Sequence, residues 1–166
     1  RNVSPLETAV VSVGSVHGGN AFNIIPAQVE MSGTIRTYSP QVREMVLRRV
    51  REVVQGVATA CGVTAELEIT RLTPAVINDA DVASVVRAAA EAVVGPENVL
   101  SGGRTMGSED AAYFMQDVPG CYFFVGSANA ERGLGAPHHN PRFDLDEGAL
   151  VLGVAVLMHA LVHYLS

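Results

Sequence analysis

Gln28-Val29-Glu30-Met31-Ser32-Gly33-Thr34-Ile35-Arg36-Thr37, followed closely by Ser39-Pro40, decides the fold class. Val29, Met31, Gly33 and Ile35 alternate with Glu30, Ser32, Thr34 and Arg36. That is the period of a strand with one covered face, and it puts Arg36 on the uncovered side. Ser39 then stands as N-cap with Pro40 at the first helical position, and Val42, Val46, Val50, Val53 and Val57 recur at three- and four-residue spacing until Gly62. Arg43, Glu44, Arg48, Arg51 and Glu52 make the solvated face of that helix. Upstream, Ala9-Val10-Val11-Ser12-Val13 reads as a strand and Gly18-Gly19 as the loop after it. Downstream, Val63 to Thr70 alternates again and predicts a further strand. Strand, strand, helix, strand is three quarters of a split β-α-β unit, whose opening strand and helix would precede it. Without that helix, one face of the sheet stays partly bare.

Beyond this unit the chain crosses through Leu72-Thr73-Pro74 into a second region. Asp79 or Asp81 caps a helix carrying Ala83, Val86, Ala90 and Val93, which Gly95-Pro96 stops. A short strand is predicted near Asn98-Val99-Leu100, then a loop, Ser101-Gly102-Gly103-Arg104-Thr105-Met106-Gly107, that lacks the Lys-Ser/Thr ending of a phosphate-binding loop. Ser108-Glu109-Asp110 opens a helix with Ala111, Ala112, Phe114 and Met115, its acidic residues suited to the helix dipole. Cys121 to Gly126 reads as an apolar central strand, and the last helix starts about Glu147 with Leu150, Val154, Leu157 and Leu161 on one stripe. His159 and His163 lie four apart on it without the Glu of a zinc-binding H-E-x-x-H, and read as boundary residues.

The 166 residues are 48% hydrophobic, enough for a real core, and carry a net charge of −6. The basic residues are all arginine, with no basic stripe to neutralise phosphates, so nucleic acid is excluded as a partner. Cys61 and Cys121 lie far apart without a C-x-x-C pattern and read as two buried thiols in a reducing compartment. The first residues lack the apolar core of a secretory leader, and the long apolar runs are broken by Gly or polar residues. The expectation is a cytoplasmic protein with no membrane partner, starting inside a longer gene product.

Ala136-Pro137-His138-His139-Asn140-Pro141-Arg142-Phe143-Asp144 is the stretch with most chemistry in it. Imidazole is a good ligand for zinc, manganese or cobalt, and flanking prolines hold the backbone before an ion arrives. Asn140 precedes Pro141 and is pushed towards an extended form, which would send His138 and His139 to opposite sides and leave one of them as ligand. With no Cys or Glu partner nearby, the bare pair taken alone reads as solvated loop residues rather than as a ligand.

His139-Asn140-Pro141-Arg142-Phe143-Asp144, with Met106-Gly107-Ser108-Glu109-Asp110 and Gly18-Gly19-Asn20-Ala21-Phe22-Asn23-Ile24-Ile25-Pro26, resembles the metal-dependent amidohydrolases of the aminoacylase and carboxypeptidase superfamily. The branch it is most similar to holds hippurate hydrolase and the indole-acetyl-amino-acid hydrolases. The resemblance covers essentially the whole chain. It implies an α/β protein: residues 1–72 as most of a ferredoxin-like α+β lid that forms a homodimer, and residues 73–166 as the C-terminal part of a two-metal peptidase-like catalytic domain.

The implied activity is metal-dependent hydrolysis of the amide bond of N-acyl amino acids or peptides. Two divalent ions (zinc, manganese or cobalt) activate water for it, and a glutamate outside this chain moves the proton. On the same resemblance His139 matches the last metal histidine, His138 matches no ligand, and Asn140 and Asp144 are candidate partners behind it. Gly107, Ser108 and Glu109 would shape the substrate pocket. Asn23 and Arg36 would hold the substrate carboxylate or the developing oxyanion across the dimer, with His17 a candidate for stabilising the tetrahedral intermediate. The family's Cys-x-His, its Glu-Glu pair and a further His would lie upstream, leaving this chain inactive alone. The competing reading is a non-catalytic dimerising module that keeps the fold.

Overall fold

The computed structural model describes residues 2–165, so Arg1 and Ser166, the outermost residues of the two expected domains, lie outside the described residues. Its elements are β1 (Ala9–His17), β2 (Glu30–Thr37), α1 (Pro40–Cys61), α2 (Ala80–Val94), α3 (Ala111–Asp117) and α4 (Gly148–Leu165), with a short 3-10 turn at Pro96–Asn98. The class is mixed α/β, as the alternation and the helix signals predict. The chain divides into two compact units, one of residues up to Ala75 with Thr105–Glu109, the other of Val76–Arg104 and the residues from Asp110 onward.

In the first unit β1 and β2 form an antiparallel pair, running from Ala9 opposite Thr37 to His17 opposite Glu30. The register slips between Val13 and Ser15, so Gly14 is the extra residue of a bulge. Gly33 sits opposite Val13, and its lack of a side chain lets the strands close: a Cβ there would stand 2.2 Å from the Ser12 carbonyl oxygen. Helix α1 starts where its caps predict. Ser39 Oγ accepts from the Val42 amide, Pro40 fills the first turn, and Gly62 ends the helix at φ 68° with its N–H on the Ala58 and Thr59 carbonyls.

Burial departs from the predicted faces. Val42, Val46, Leu47 and Ala58 are buried, but Val53 and Val57 are exposed. On β2 Met31 is 60% exposed although it sits on the face expected to be covered, and Arg36 is half-buried rather than open. The strand predicted over Val63–Thr70 carries no ladder. A strand is held by a neighbour, and this segment pairs with neither open edge of the two-stranded sheet of β1 and β2. Side chains of α1 hold the segment and its continuation instead: Gln55 donates to the Ala65 carbonyl, Arg43 to the Thr73 carbonyl, and Arg71 makes a bidentate pair with Glu44 at 2.6 and 2.7 Å.

In the second unit α2 runs along α4. Asp79, not Asp81, is the N-cap, its Oδ1 accepting from the Asp81 and Val82 amides. The less exposed positions of α2 include Val82, Val86, Ala89 and Val93; those of α4 include Ala149, Gly153, Val156 and Ala160. Each set recurs at helical spacing and so shares one face. The stripe predicted for α4 is therefore the wrong one. Leu150, Val154, Leu157 and Leu161 are all exposed, because α4 is apolar on both faces and α2 covers only the small-residue side. By length and composition alone α4 is apolar enough to cross a membrane, although Gly153, His159 and His163 interrupt its apolar run.

Two more strands are corrected. Residues 96–98 form a 3-10 turn with no strand after it, and Cys121–Gly126 carries no ladder. A central strand needs flanking strands, and here the side chain of Asn78 substitutes for one, donating to the Tyr122 carbonyl and accepting from its amide, both at 2.9 Å. The helix after Ser108 begins only at Ala111, so no acidic residue lies in its first turn. Cys61 is exposed, not buried, and both cysteines are free thiols.

The close approach at Gly33 is testable. Gly33→Ala should destabilise the first unit by about 1–3 kcal/mol in denaturant unfolding, as overpacking against fixed backbone does. Gly14→Ala, whose Cβ would meet only the Ser32 carbonyl oxygen at 3.9 Å, should stay within about 0.5 kcal/mol of the parent.

Candidate functional site

The candidate residues fall into two sets, one in each unit. In the first, His17 ends β1 opposite Glu30, and Asn23 lies exposed in the β1–β2 connection without a side-chain hydrogen bond among the described residues. Arg36 reaches the Ser101–Glu109 loop: its Nη1 donates to the Met106 carbonyl at 2.5 Å. That bond brings Arg36 next to Gly107, Ser108 and Glu109. Gly107 N–H donates to Thr105 Oγ1, Ser108 is exposed and Glu109 half-buried. So Arg36 and the Gly-Ser-Glu loop are brought together, whereas no hydrogen bond links Asn23 or His17 to them among the described residues.

In the second unit the His138-His139 pair occupies a tight turn, not an extended segment. The Asn140 amide donates to the Pro137 carbonyl at 3.2 Å, which makes the two histidines the central residues of that turn. Alternation therefore does not separate them. Contact does. His138 packs edge-on against Phe143, ring centroids 4.7 Å apart, while His139 has no hydrogen bond, ion pair or ring contact among the described residues. His139 also has φ 65°, the only positive φ outside glycine among the described residues. A side chain in the left-handed region carries strain of about 1–2 kcal/mol, which the neighbouring structure must offset.

The turn supplies that support locally. Asn140 Oδ1 accepts from the Arg142 amide at 2.9 Å, its carbonyl accepts from Phe143, and Asp144 Oδ1 accepts from Leu145. Asn140 and Asp144 thus hold backbone, and neither bonds to His139. The sequence reading missed what closes the ends of this loop. Asn129 and Leu134 exchange both backbone hydrogen bonds at 2.8 Å. The Asp146 amide donates to the Ser127 carbonyl, and its carboxylate takes Asn129 Nδ2 at 2.5 Å, the Gly148 amide at 3.0 Å and the Arg132 guanidinium at 3.3 Å. The Asn129 hydrogen bond foremost, then the Gly148 amide and the Arg132 charge, hold the Asp146 carboxyl below its ordinary range. An Asp two residues before a helix was a visible N-terminal signal, but its loop partners are seventeen and fourteen residues upstream and leave no local mark.

Among the described residues no three His, Cys, Asp or Glu side chains gather as a metal cluster. An imidazole outside any such cluster, with its backbone already set, fits one corner of a metal site and no more. His159 and His163 line an open recess with Met158 and Val162 and have no such cluster either. Cys121 is partly buried, which pushes its thiol pKa up and makes it a poor nucleophile.

Residues 4–163 match the model of peptidase family M20/M25/M40. The chain belongs to that family. A putative amidohydrolase, YhaA, of Bacillus subtilis is 34% identical over 164 residues, covering 99% of this chain and 41% of the relative. The N-acetylcysteine deacetylase of Bacillus subtilis is 36% identical over 154 residues, covering 92% of this chain and 38% of the relative. Among solved structures, the Bacillus subtilis YXEP protein, described as a dinuclear metal binding peptidase of the M20 family, superposes with a TM-score of 0.76 at 30% identity. That match covers 94% of this chain and 42% of the solved one. The chain thus spans about two fifths of the length of the family members it matches.

Two outcomes follow from the turn and its neck. In the metal-free protein His139→Gly should raise stability by about 0.5–1 kcal/mol, since glycine takes φ 65° without the steric penalty, whereas His139→Ala should not. The contribution of Asp146 should be fully present above the ordinary carboxylate pKa and be lost as pH falls through its lowered value. Unfolding of the parent and of Asp146→Asn, compared from neutral pH downward, should show a difference that is constant above about pH 5 and vanishes in acid.

Proposed function

We propose that this chain is the C-terminal portion of a metal-dependent hydrolase that cleaves the amide bond of N-acyl amino acids, with residues up to 72 serving as most of a homodimerising lid and residues 73–166 as part of the catalytic domain. The observation that carries the reading is His139: an imidazole left without a protein partner and held in a strained backbone conformation, within His139-Asn140-Pro141-Arg142-Phe143-Asp144. Strain kept at one side chain points to a use for that side chain. The dinuclear metal binding described for the YXEP relative and the deacetylase activity in the name of another support the same chemistry.

In this proposal His139 would hold one of the two divalent ions through a single ring nitrogen, and the other ligands and the general base would come from sequence that the relatives carry beyond the matched part. When bound, such ions lower the pKa of water and polarise the scissile carbonyl. Zinc, manganese and cobalt all suit an imidazole. Arg36 spends one donor on the Met106 carbonyl, and the rest of its fork is suited to a substrate carboxylate. Gly107, Ser108 and Glu109 lie along that loop as pocket wall, with Asn23 and His17 as donors to the developing oxyanion across the dimer. Asn140 and Asp144 keep the turn in shape. The enzyme is read as cytoplasmic, and the isolated chain as inactive.

The experiment is His139→Ala in the full-length protein, assayed on N-acetyl and N-benzoyl amino acids with metal content measured alongside. Hydrolysis should fall by on the order of 100-fold or more, beyond what loss of a supporting partner usually costs, with one ion lost per subunit. Hydrolysis at the parent rate would refute the assignment. Absence of hydrolysis and of bound metal in the parent itself would favour a dimerising module without chemistry.

A further inference from the structure

The loop of eleven residues between Leu134 and Asp146 carries its own hydrogen bonds, and its hydrogen-bonded ties to the rest of the unit are at its ends. Its internal hydrogen bonds are all local, from Asn140 to Pro137, Phe143 and Arg142 to Asn140, and Leu145 to Asp144. Pro137, Pro141 and the His138–Phe143 ring contact stiffen it further. Among the described residues no hydrogen bond or ion pair ties the stretch 135–145 to the rest of the unit. The hydrogen bonds and ion pairs that hold this loop to the rest of the unit therefore lie at its two ends. At one end is the Asn129–Leu134 bridge, tightened by the Gly133 turn at φ 71°. At the other is Asp146, whose carboxylate is bonded to Asn129 and Arg132 of the upstream arm and to Gly148 of α4.

We propose that Asp146, together with Asn129 and Arg132, is a positioning residue for His139: it locks the neck of a stiff loop onto the start of α4 and so sets where the imidazole points. The proposal rests on the reading of His139 as a metal ligand. A stiff body on a hinged neck moves as a whole, so a small rotation at Asp146 is magnified at the turn seven residues away. The helix gives the neck its reference, because α4 is fixed by packing along α2.

The test uses the metal-free full-length protein titrated with Zn²⁺ against a chromophoric chelator, with thermal unfolding of the same samples. Asp146→Ala should weaken one Zn²⁺ site by about 10–100-fold, the usual effect of removing support from a ligand. The exchange Asn129→Asp with Asp146→Asn, which keeps an amide facing a carboxylate, should recover most of that loss. Asn129→Ala, which leaves the Gly148 contact in place, should give a smaller loss of the same sign and serves if Asp146→Ala does not fold. A lowered unfolding midpoint with unchanged Zn²⁺ affinity in both single variants would overturn the proposal and leave Asp146 a structural cap. If His139→Ala itself leaves Zn²⁺ binding unchanged, the reading of His139 fails first, and the positioning role with it.

Discussion

The carboxylate of Asp146 is where two requirements of the second unit meet. A helix start needs an acceptor for its free amides, and a loop needs closure. One side chain meets both through Gly148, Asn129 and Arg132. Its main chain adds to the same junction: the Asp146 amide donates to the Ser127 carbonyl at 2.9 Å, and the Asp146 carbonyl accepts from the Ala149 amide of α4 at 3.0 Å. The first unit has a comparable device in Arg36, whose bond to the Met106 carbonyl brings the loop of Gly107–Glu109 to the sheet.

Helices were largely legible in the sequence, and strands were not. The starts of α1 and α2 follow from Ser39-Pro40 and Asp79, and their ends from Gly62 and Gly95, since caps depend on residues within a few positions of each other. Strands depend on a distant neighbour. Val63–Thr70 and Cys121–Gly126 have the composition of strands, yet neither gains a partner, and side chains of Gln55 and Asn78 take up backbone groups in its place. The apolar faces failed for a related reason. The α4 stripe of Leu150, Val154, Leu157 and Leu161 is as hydrophobic as any core stripe, but α2 meets the face of Ala149, Gly153, Val156 and Ala160, where small residues allow close approach. Periodicity shows that a face exists and says nothing of which face is met.

The candidate site was legible as a motif and illegible as geometry. Resemblance alone distinguishes His139 from His138 in the sequence; alternation does not apply to the pair, because His138 and His139 form the turn that the Asn140 amide closes on the Pro137 carbonyl. Two physical features now separate the rings: His138 is packed against Phe143, and His139 is strained and unpartnered. Asn129, Arg132 and Asp146 went unread because a neck is formed by residues distant in sequence.

The strain at His139 bears on the choice between an enzyme and a module that has merely kept the fold. A turn with φ 65° at its third residue is most easily made with glycine or asparagine, and histidine there gives up free energy on folding. Where the only demand is to fold and dimerise, the local hydrogen bonds of the turn must offset that loss, although glycine or asparagine there would avoid it. Where an ion binds the ring, the binding free energy also offsets it, and strain that holds the imidazole ready reduces what binding must spend on ordering it. On the proposed reading of His139 as a metal ligand, the prolines, the Asn140 turn and the Asp146 neck would each remove a freedom that the side chain would otherwise lose on capturing an ion.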